Sequence, residues 1–366
     1  AFELSEPSGT LMLEKAHIDL AAGHYNKAER GFNEVLKQDP ANADAFLGMA
    51  ITRQKKKDWG SAFLHYNSLI NKDIVTDAII NGLVEVIQHI DVELWTPEYE
   101  KTLLTGLHAN HVNKSAFGKF SNTLLAHKYH LELADSELDF AALIEDPLLF
   151  EIVAQKLIVS AETEQLVSLL RETLLTQIYS AKHIPPVLEK WVICLAEAAA
   201  YYGYSWPVND QEMVYLSELS HAISAEVKSS DKGTSMVENS TGAILLYSMY
   251  EELYAAPFSY LLMAKTLTDW PRPLHALLAS SLYEPARLHE IEVELKRVIA
   301  PSQSSLIYER DPLVPYPKWS HIQVSEEQSA TRFLFNTFGE RLPFKSRKRP
   351  LNVLVSASGT GQHILQ

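Results

Sequence analysis

A glycine-rich turn near the end of the sequence has the residue types best suited to hold a small molecule. The mostly apolar run at residues 351–355 is followed by Gly359, Thr360 and Gly361. Because glycine has no Cβ, a ligand can approach the backbone there, and free peptide N–H groups can point at it. The pattern predicts the first strand and glycine loop of an α/β domain that binds a nucleotide-like ligand.

The chain ends soon after this turn, since only eleven residues follow Val355. A doubly wound α/β domain needs on the order of 100 residues after its first strand. We therefore expect residues 351–366 to be the truncated start of such a domain, because its pocket is completed by later strands. The chain by itself is predicted to bind no cofactor and to be inactive.

Histidine and cysteine give little sign of a metal site or a nucleophile. His108 and His111, like His127 and His130, have the spacing that places two imidazoles on one side of a helix. Neither pair has a third ligand at matching spacing, so we predict no metal site. The single cysteine, Cys194, lies in an apolar segment and is predicted to be a small buried residue, in keeping with a reducing, cytoplasmic location.

The charge balance narrows the classes of partner. The chain has 32 Lys and Arg against 46 Asp and Glu, a formal net charge of −14, and no long basic block. This balance disfavours bare nucleic acid and anionic lipid as partners, because both are polyanions. No apolar run of about 18 residues occurs, so no membrane span is predicted. A protein, a peptide or a small molecule fits better.

An internal repeat with a period of about 34 residues organises residues 1–73. Small or aromatic residues recur at this spacing in four pairs: Ala16 and Ala50, Tyr25 and Trp59, Ala28 and Ala62, and Phe32 and Tyr66. The spacing resembles that of the tetratricopeptide repeat, whose two antiparallel helices cross at small residues and contact the next repeat through aromatic ones. Asp39-Pro40 falls where the first unit should end, because proline cannot continue a helix. Two units alone are unstable, so later helices should extend or cap them.

Apolar residues at three- and four-residue spacing predict helices over most of the following chain, which is therefore expected to be mainly α. Thr96-Pro97, Asp146-Pro147 and Pro185-Pro186 predict helix starts or breaks. The predicted division is two tetratricopeptide repeats in 1–73, a helical middle region in 74–227, a polar loop or junction in 228–242, a helical region in 243–305, a connector in 306–350 and the start of the α/β domain in 351–366.

Three segments together resemble a bacterial family in which tetratricopeptide repeats are fused to a class I S-adenosylmethionine-dependent methyltransferase. Residues 146–150 and 169–175 look like the helical middle region of those proteins. Residues 308–319, which contain Tyr-Pro-Lys-Trp, are similar to a Tyr-Glu-x-x-Pro-Tyr-Pro-Arg-Trp signature found shortly before the catalytic domain. Residues 353–363, Val-Leu-Val-Ser-Ala-Ser-Gly-Thr-Gly-Gln-His, are close to the family's motif I. The resemblance implies that a Rossmann-like methyltransferase domain begins after the helical body.

The resemblance also implies roles for individual residues. The motif I loop would contact S-adenosylmethionine through Ser356, Ala357, Ser358, Gly359, Thr360, Gly361 and Gln362. Tyr316, Lys318 and Trp319 would form a wall of the donor or acceptor pocket, or Trp319 would instead anchor a proline-stiffened connector. Ala357 stands where the family has a glycine, and its Cβ would strain the loop or crowd the methionine part of the cofactor. The catalytic base is not assigned.

Two functions follow from these observations. In the first, the chain is the helical, partner-recruiting portion of a cytoplasmic S-adenosylmethionine-dependent methyltransferase, and its helices select the methyl acceptor. In the second, it is a non-enzymatic tetratricopeptide module that holds a protein or peptide in a groove, with Arg53, Lys55 and Asn67 as groove residues. The sequence leaves the methyl acceptor and the oligomeric state open.

Overall fold

The computed structural model describes residues 9–110, 112–131, 138–181, 184–229 and 236–298. Every regular element in these ranges is a helix, which confirms the prediction of a mainly α chain. The predicted connector in 306–350 and the predicted strand and glycine loop in 351–366 lie outside the described residues. None of the helices in the described ranges is long and apolar enough to cross a membrane.

The helices are joined mostly by short connections. In chain order they are α1 (Gly9–Ala21), α2 (Tyr25–Gln38), α3 (Ala43–Lys55), α4 (Trp59–Asn71), α5 (Asp77–Ile87), α6 (Pro97–His108), α7 (Gly118–Tyr129), α8 (Phe140–Glu145), α9 (Pro147–Ala154), α10 (Ala161–Ala181), α11 (Pro186–Tyr201), α12 (Asp210–Ser229), α13 (Met236–Ser248), α14 (Ser259–Leu262), α15 (His275–Leu278) and α16 (Glu284–Val298). In the same described ranges, 3₁₀ turns lie at Lys114–Phe117, Leu267–Asp269 and Arg272–Leu274, and a π-helical turn at Ala279–Tyr283 joins α15 to α16.

Capping residues fix where several helices begin. The Thr96 hydroxyl accepts a hydrogen bond from the Tyr99 backbone N–H at 3.1 Å, at the start of α6. The Asp146 carboxylate accepts from the backbone N–H groups of Leu148 and Leu149 at the start of α9. The first residues of α6, α9 and α11 are Pro97, Pro147 and Pro186. The helix starts predicted from these Pro dipeptides are therefore confirmed, because proline suits a first turn whose N–H groups have no helical partner.

The first six helices form two layers. The helices α1, α3 and α5 begin at Gly9, Ala43 and Asp77, which are spaced by the repeat period, and α2 and α4 begin with the same spacing. Because α3 contacts α1 and α5 as well as α2 and α4, the helices α1, α3 and α5 lie side by side in one layer. In the second layer α4 contacts α6. The repeat period thus continues one helix beyond the two predicted units, whereas α6 begins later than the period predicts because its connection is longer.

Two glycines let an aromatic ring of one repeat contact the first helix of the next. A Cβ placed on Gly48 would come within 2.3 Å of the Phe32 ring, and a Cβ on Gly82 would come within 2.2 Å of the Tyr66 hydroxyl. Both rings are fully buried. The two glycines are themselves one repeat period apart, so the same ring-on-glycine contact is built twice.

The polar stretch at residues 228–242, predicted to be a loop or junction, is helical at both of its ends. Helix α12 continues to Ser229 and α13 begins at Met236. The apolar residues Ile244, Leu245 and Leu246 that follow are buried. Burial of one helical face outweighs the modest helix propensity of the Ser, Asn and Thr residues before it. Residues 230–235 lie outside the described residues.

The described residues separate into two compact units. The first contains residues 9–200 and 204–287, and the second contains residues 201–203 and 288–298. The first unit holds the two repeat layers and a larger helical core, in which the Trp191 indole N–H donates to the Ile144 carbonyl at 2.8 Å. In the second unit the rings of Tyr201 and Tyr202 meet edge to face with centroids 5.0 Å apart.

Candidate functional site

The residues predicted to contact S-adenosylmethionine lie outside the described residues. This holds for the whole segment 356–362 and for Tyr316, Lys318 and Trp319. Their roles therefore stay predictions from the sequence. The described residues that were predicted to contact a partner are Arg53, Lys55 and Asn67, and all three belong to the repeat layers.

Arg53 is held between two neighbouring elements of the repeat. Its guanidinium forms an ion pair with Glu29 of α2 and a hydrogen bond of 2.8 Å with Asp58, the N-cap of α4. The Asp58 carboxylate also accepts from the Ser61 backbone N–H at 3.3 Å. Burial opposes ionisation of Asp58, but the hydrogen bonds from Ser61 and Arg53 outweigh it and lower the pKa of this carboxyl. Arg53 thus has two carboxylate partners inside the array.

Asn67 lies in the contact between α4 and α6. Its side-chain oxygen accepts from the Thr102 hydroxyl at 2.6 Å and from the Asn71 amide at 3.1 Å. Lys55, at the end of α3, is exposed. The structure therefore uses Arg53 and Asn67 in two separate helix contacts and leaves Lys55 accessible to a partner.

Side chains spaced four residues apart on α3 and on α5 form an accessible surface. Leu47, Ile51 and Lys55 follow one another every four residues along α3, and Asn81 and Glu85 do the same along α5. Residues four apart lie on one side of a helix. Leu47 and Ile51 are half-buried, whereas Lys55, Asn81 and Glu85 are exposed. We call the surface formed by these five residues the first-helix face.

A chain of hydrogen bonds leads from the core of the repeats to this face. The buried Tyr66 hydroxyl donates to the Gln54 amide oxygen at 2.6 Å, and the Gln54 amide nitrogen donates to the Glu85 carboxylate at 2.6 Å. A carboxylate can only accept hydrogen bonds, so the Gln54 amide turns its N–H group toward Glu85. The Gln54 amide oxygen then faces Tyr66 and accepts the hydrogen bond of the phenol. Burial, with a contribution from Glu85, raises the pKa of Tyr66, so the phenol keeps its proton.

The preceding repeat forms the same contact without this chain of hydrogen bonds, and there the His17 ring meets the Phe32 ring edge to face with centroids 5.0 Å apart. The residues one repeat period before Tyr66, Gln54 and Glu85 are Phe32, Leu20 and Ile51. Phe32 is fully buried in an apolar cluster, and Leu20 packs against that cluster. We call Phe32, Leu20 and Ile51 the apolar junction, and Tyr66, Gln54 and Glu85 the polar junction. The two junctions occupy equivalent places, one between α1 and α3 and the other between α3 and α5.

A cavity of 350 Å³ lies along α6, with Trp95, Leu104 and His108 among its lining residues. Glu100 also lines it, and its carboxylate accepts from the Trp95 indole N–H at 2.6 Å and from Lys128 at 2.7 Å. Burial opposes the charged form of Lys128, but its contacts with Glu100 and Asp146 raise its pKa overall. The Glu100–Lys128 pair beside this cavity thus joins α6 to α7, and His108, which also lines it, lies 3.0 Å from Glu151 of α9.

A buried cation lies in the helical core after the repeats. Arg171 is 1% exposed and contacts the Pro207 carbonyl at 2.5 Å, while its guanidinium carbon lies 4.0 Å from the centroid of the Tyr250 ring. The Tyr250 hydroxyl donates to Glu212 at 2.6 Å, and a Glu212 oxygen lies 3.8 Å from Arg171. Burial lowers the pKa of Arg171. This cluster ties α10 to α12 and to the residues after α13.

Two of the histidines with ligand-like spacing, His108 and His127, have ordinary structural contacts, and His130 follows the last residue of α7 in the left-handed region with φ 51°. His108 lies 3.0 Å from Glu151, and His127 lies 3.0 Å from the Val92 carbonyl oxygen, whereas His111 is outside the described residues. In the part of the chain that the structure describes, no three His, Cys, Asp or Glu residues are close enough to hold a metal ion. Cys194 is buried, and burial raises the pKa of its thiol to about 12.

The sequence reading missed the polar junction, although the signal was available. Once the repeat register is known, Tyr66, Gln54 and Glu85 align with three apolar residues. When three equivalent positions are all apolar in one repeat and all polar in the next, the three polar residues are expected to interact. Lys128 and Arg171 gave no such signal, because they lie after the 34-residue repeats and have no equivalent residue to compare with.

Comparison of the chain with family models, with curated proteins and with solved structures gave no match.

Proposed function

We propose that the repeat layers bind a protein partner through an extended peptide segment that lies across the first-helix face. The observation that carries this proposal is an accessible surface on two adjacent helices that combines half-buried apolar side chains with exposed polar ones. An extended peptide needs both kinds of group, because its side chains alternate in direction and its backbone carries donors and acceptors.

The distribution of polar groups also supports this face over the other surfaces. Arg53, Asn67 and Lys128 all have partners within the chain. The first-helix face presents Lys55 and Asn81 at its surface, together with Glu85, which accepts from Gln54 but has no ion pair among the described residues. A surface that offers hydrogen-bonding groups beside apolar area resembles the composition of protein interfaces. In the cavity along α6 the charged and imidazole groups already have partners: Glu100 pairs with Lys128, Lys101 with Asp73 and His108 with Glu151.

Selection from a displayed library of random twelve-residue peptides tests the proposal. We expect enrichment of peptides whose affinity falls at least about tenfold when Ile51 or Asn81 is replaced by Lys, because the new side chain would occupy the binding surface. Leu64→Lys is the matched control, since Leu64 is an exposed apolar residue of α4, in the other layer. Peptides that bind all three variants as they bind the original chain would contradict this location.

A second candidate adds a reaction to this binding. We propose that the repeat layers deliver the bound partner to a methyltransferase domain that begins at residue 351, and that S-adenosylmethionine is the methyl donor. The support is the likeness of residues 353–363 to the family's motif I and the Tyr-Pro-Lys-Trp segment before it. In such a reaction the protein mainly holds the donor and the acceptor in line, since the sulfonium already activates the methyl group.

The coding sequence after Gln366 tests this second candidate at little cost. We expect it to continue for roughly 150 codons and to place an acidic residue at the end of the next strand, where it can hold the ribose. Calorimetry on the longer protein should then detect S-adenosylmethionine binding. A stop codon directly after Gln366 would contradict the methyltransferase and leave the binding module.

A further inference from the structure

The polar junction fixes the position of a carboxylate on an accessible surface. Glu85 is exposed, yet one of its oxygens is held by Gln54 at 2.6 Å, and Gln54 is held by the buried Tyr66 at 2.6 Å. Arg53, the cation that precedes Gln54 in α3, is paired with other carboxylates. Among the described residues Glu85 has no ion-pair partner, so its charge is available to a ligand.

Packing alone does not require this arrangement. The apolar junction has Phe32, Leu20 and Ile51 at the equivalent positions, and none of these three side chains carries a hydrogen-bonding group. A half-satisfied polar network is costlier than an apolar contact, so each of the three polar residues depends on the other two. The chain of hydrogen bonds ends at the surface carboxylate of Glu85, which points to a role for this group in binding a ligand.

We propose that Glu85 selects peptides that carry a lysine or arginine, and that Gln54 and Tyr66 are positioning residues that hold the carboxylate ready. This inference rests on the proposed function of the first-helix face. Charge complementarity identifies the occupant: the chain has a formal net charge of −14, and on this side of α3 and α5 the two carboxylates of Asp44 and Glu85 outnumber the one cation, Lys55. A cationic side chain that meets a fixed carboxylate forms a charge-assisted hydrogen bond.

The geometry also sets the spacing of the peptide motif. Ile51 and Leu47 offer the apolar part of the face on α3, and Glu85 lies on the next helix, α5. Packed helices lie about 8–10 Å apart, and an extended peptide advances about 3.3 Å per residue. The bound segment should therefore carry an apolar residue and, about three positions away, the basic residue.

The test uses the best peptide enriched by the full chain from the random twelve-residue library, labelled with fluorescein, and a copy in which norleucine replaces its basic residue. Norleucine keeps the aliphatic stem and removes the charge. For the original chain we expect the norleucine copy to bind about tenfold more weakly. For Glu85→Gln we expect the two peptides to bind equally, because the positive charge of the peptide no longer meets a carboxylate. The amide oxygen of the new glutamine can still accept from Gln54, so this variant should retain the melting temperature of the original chain.

The outcomes separate this inference from the proposed function. Peptides that lose affinity with Ile51→Lys or Asn81→Lys but carry no basic residue, or bind Glu85→Gln unchanged, would overturn the role of Glu85 and keep the face as the binding site. Enriched peptides that depend on none of Ile51, Asn81 and Glu85 would overturn both.

Discussion

The apolar junction and the polar junction are two chemical solutions to one packing problem. In both junctions an aromatic ring lies on a glycine in the first helix of the following repeat. Phe32 lies on Gly48 of α3, and Tyr66 lies on Gly82 of α5. The apolar junction gains stability by removing hydrocarbon surface from water. The polar junction buries a phenol and an amide, and it is stable only because Tyr66, Gln54 and Glu85 satisfy one another.

The difference indicates which part of the array is built for stability alone. The ring-on-glycine contact is common to both junctions, so it belongs to the repeat architecture. The chain of hydrogen bonds occurs only where it ends on an exposed carboxylate. We therefore expect the rings to serve folding, and we propose the carboxylate for recognition. Changes at the two junctions can separate these roles.

The largest effect should come from removing a ring. Phe32→Ala should lower the free energy of unfolding by about 3–5 kcal/mol, because Phe32 is fully buried and a cavity would remain. Tyr66→Ala should cost at least as much, since it also leaves Gln54 without its donor. Urea unfolding followed by circular dichroism measures both values. A loss below about 1 kcal/mol for either variant would show that its ring does not hold the repeats together.

Exchanging the two ring types should lower the free energy of unfolding at both junctions, but by less than removing a ring does. Tyr66→Phe removes the proton that the buried Gln54 oxygen accepts, and Phe32→Tyr buries a hydroxyl among apolar neighbours. Each change should lower the free energy of unfolding by about 1–3 kcal/mol. Urea titrations of the two single variants check this expectation. If Tyr66→Phe proved neutral, the polar junction would not be a coupled set.

The smallest change in stability should follow from converting the polar junction into the apolar one. The double variant Gln54→Leu/Tyr66→Phe copies Leu20 and Phe32 and removes both buried polar groups together. Its free energy of unfolding should lie within about 1 kcal/mol of the original value, because no unsatisfied group remains. Comparison with Tyr66→Phe alone is the control, and a double variant less stable than that single one would contradict the equivalence of the junctions.

The repeat register could be predicted from the sequence because small and aromatic residues mark it directly. Ala28 and Ala62, like Phe32 and Tyr66, recur at the repeat period, and the structure continues this spacing to the start of α5. The helix starts at Pro97 and Pro147 were also predictable, since capping is a local interaction.

Features that depend on distant partners could not be predicted in the same way. The burial of Arg171 rests on Pro207, Glu212 and Tyr250, which belong to later elements of the chain. The helical ends of residues 228–242 were missed because local polarity suggested a loop, whereas tertiary burial of the following apolar residues favours helix. The predicted motif I residues lie outside the described residues, so their role stays a prediction.

The most direct test of the account measures peptide affinity and stability together in the double variant Gln54→Leu/Tyr66→Phe. This variant keeps Glu85 but removes the groups that hold it in place. Fluorescence polarisation with the basic peptide should show affinity reduced about threefold, since the freed side chain must be ordered on binding, while the melting temperature stays unchanged. Unchanged affinity together with a lower melting temperature would show that the polar junction serves only the fold, and would contradict the account.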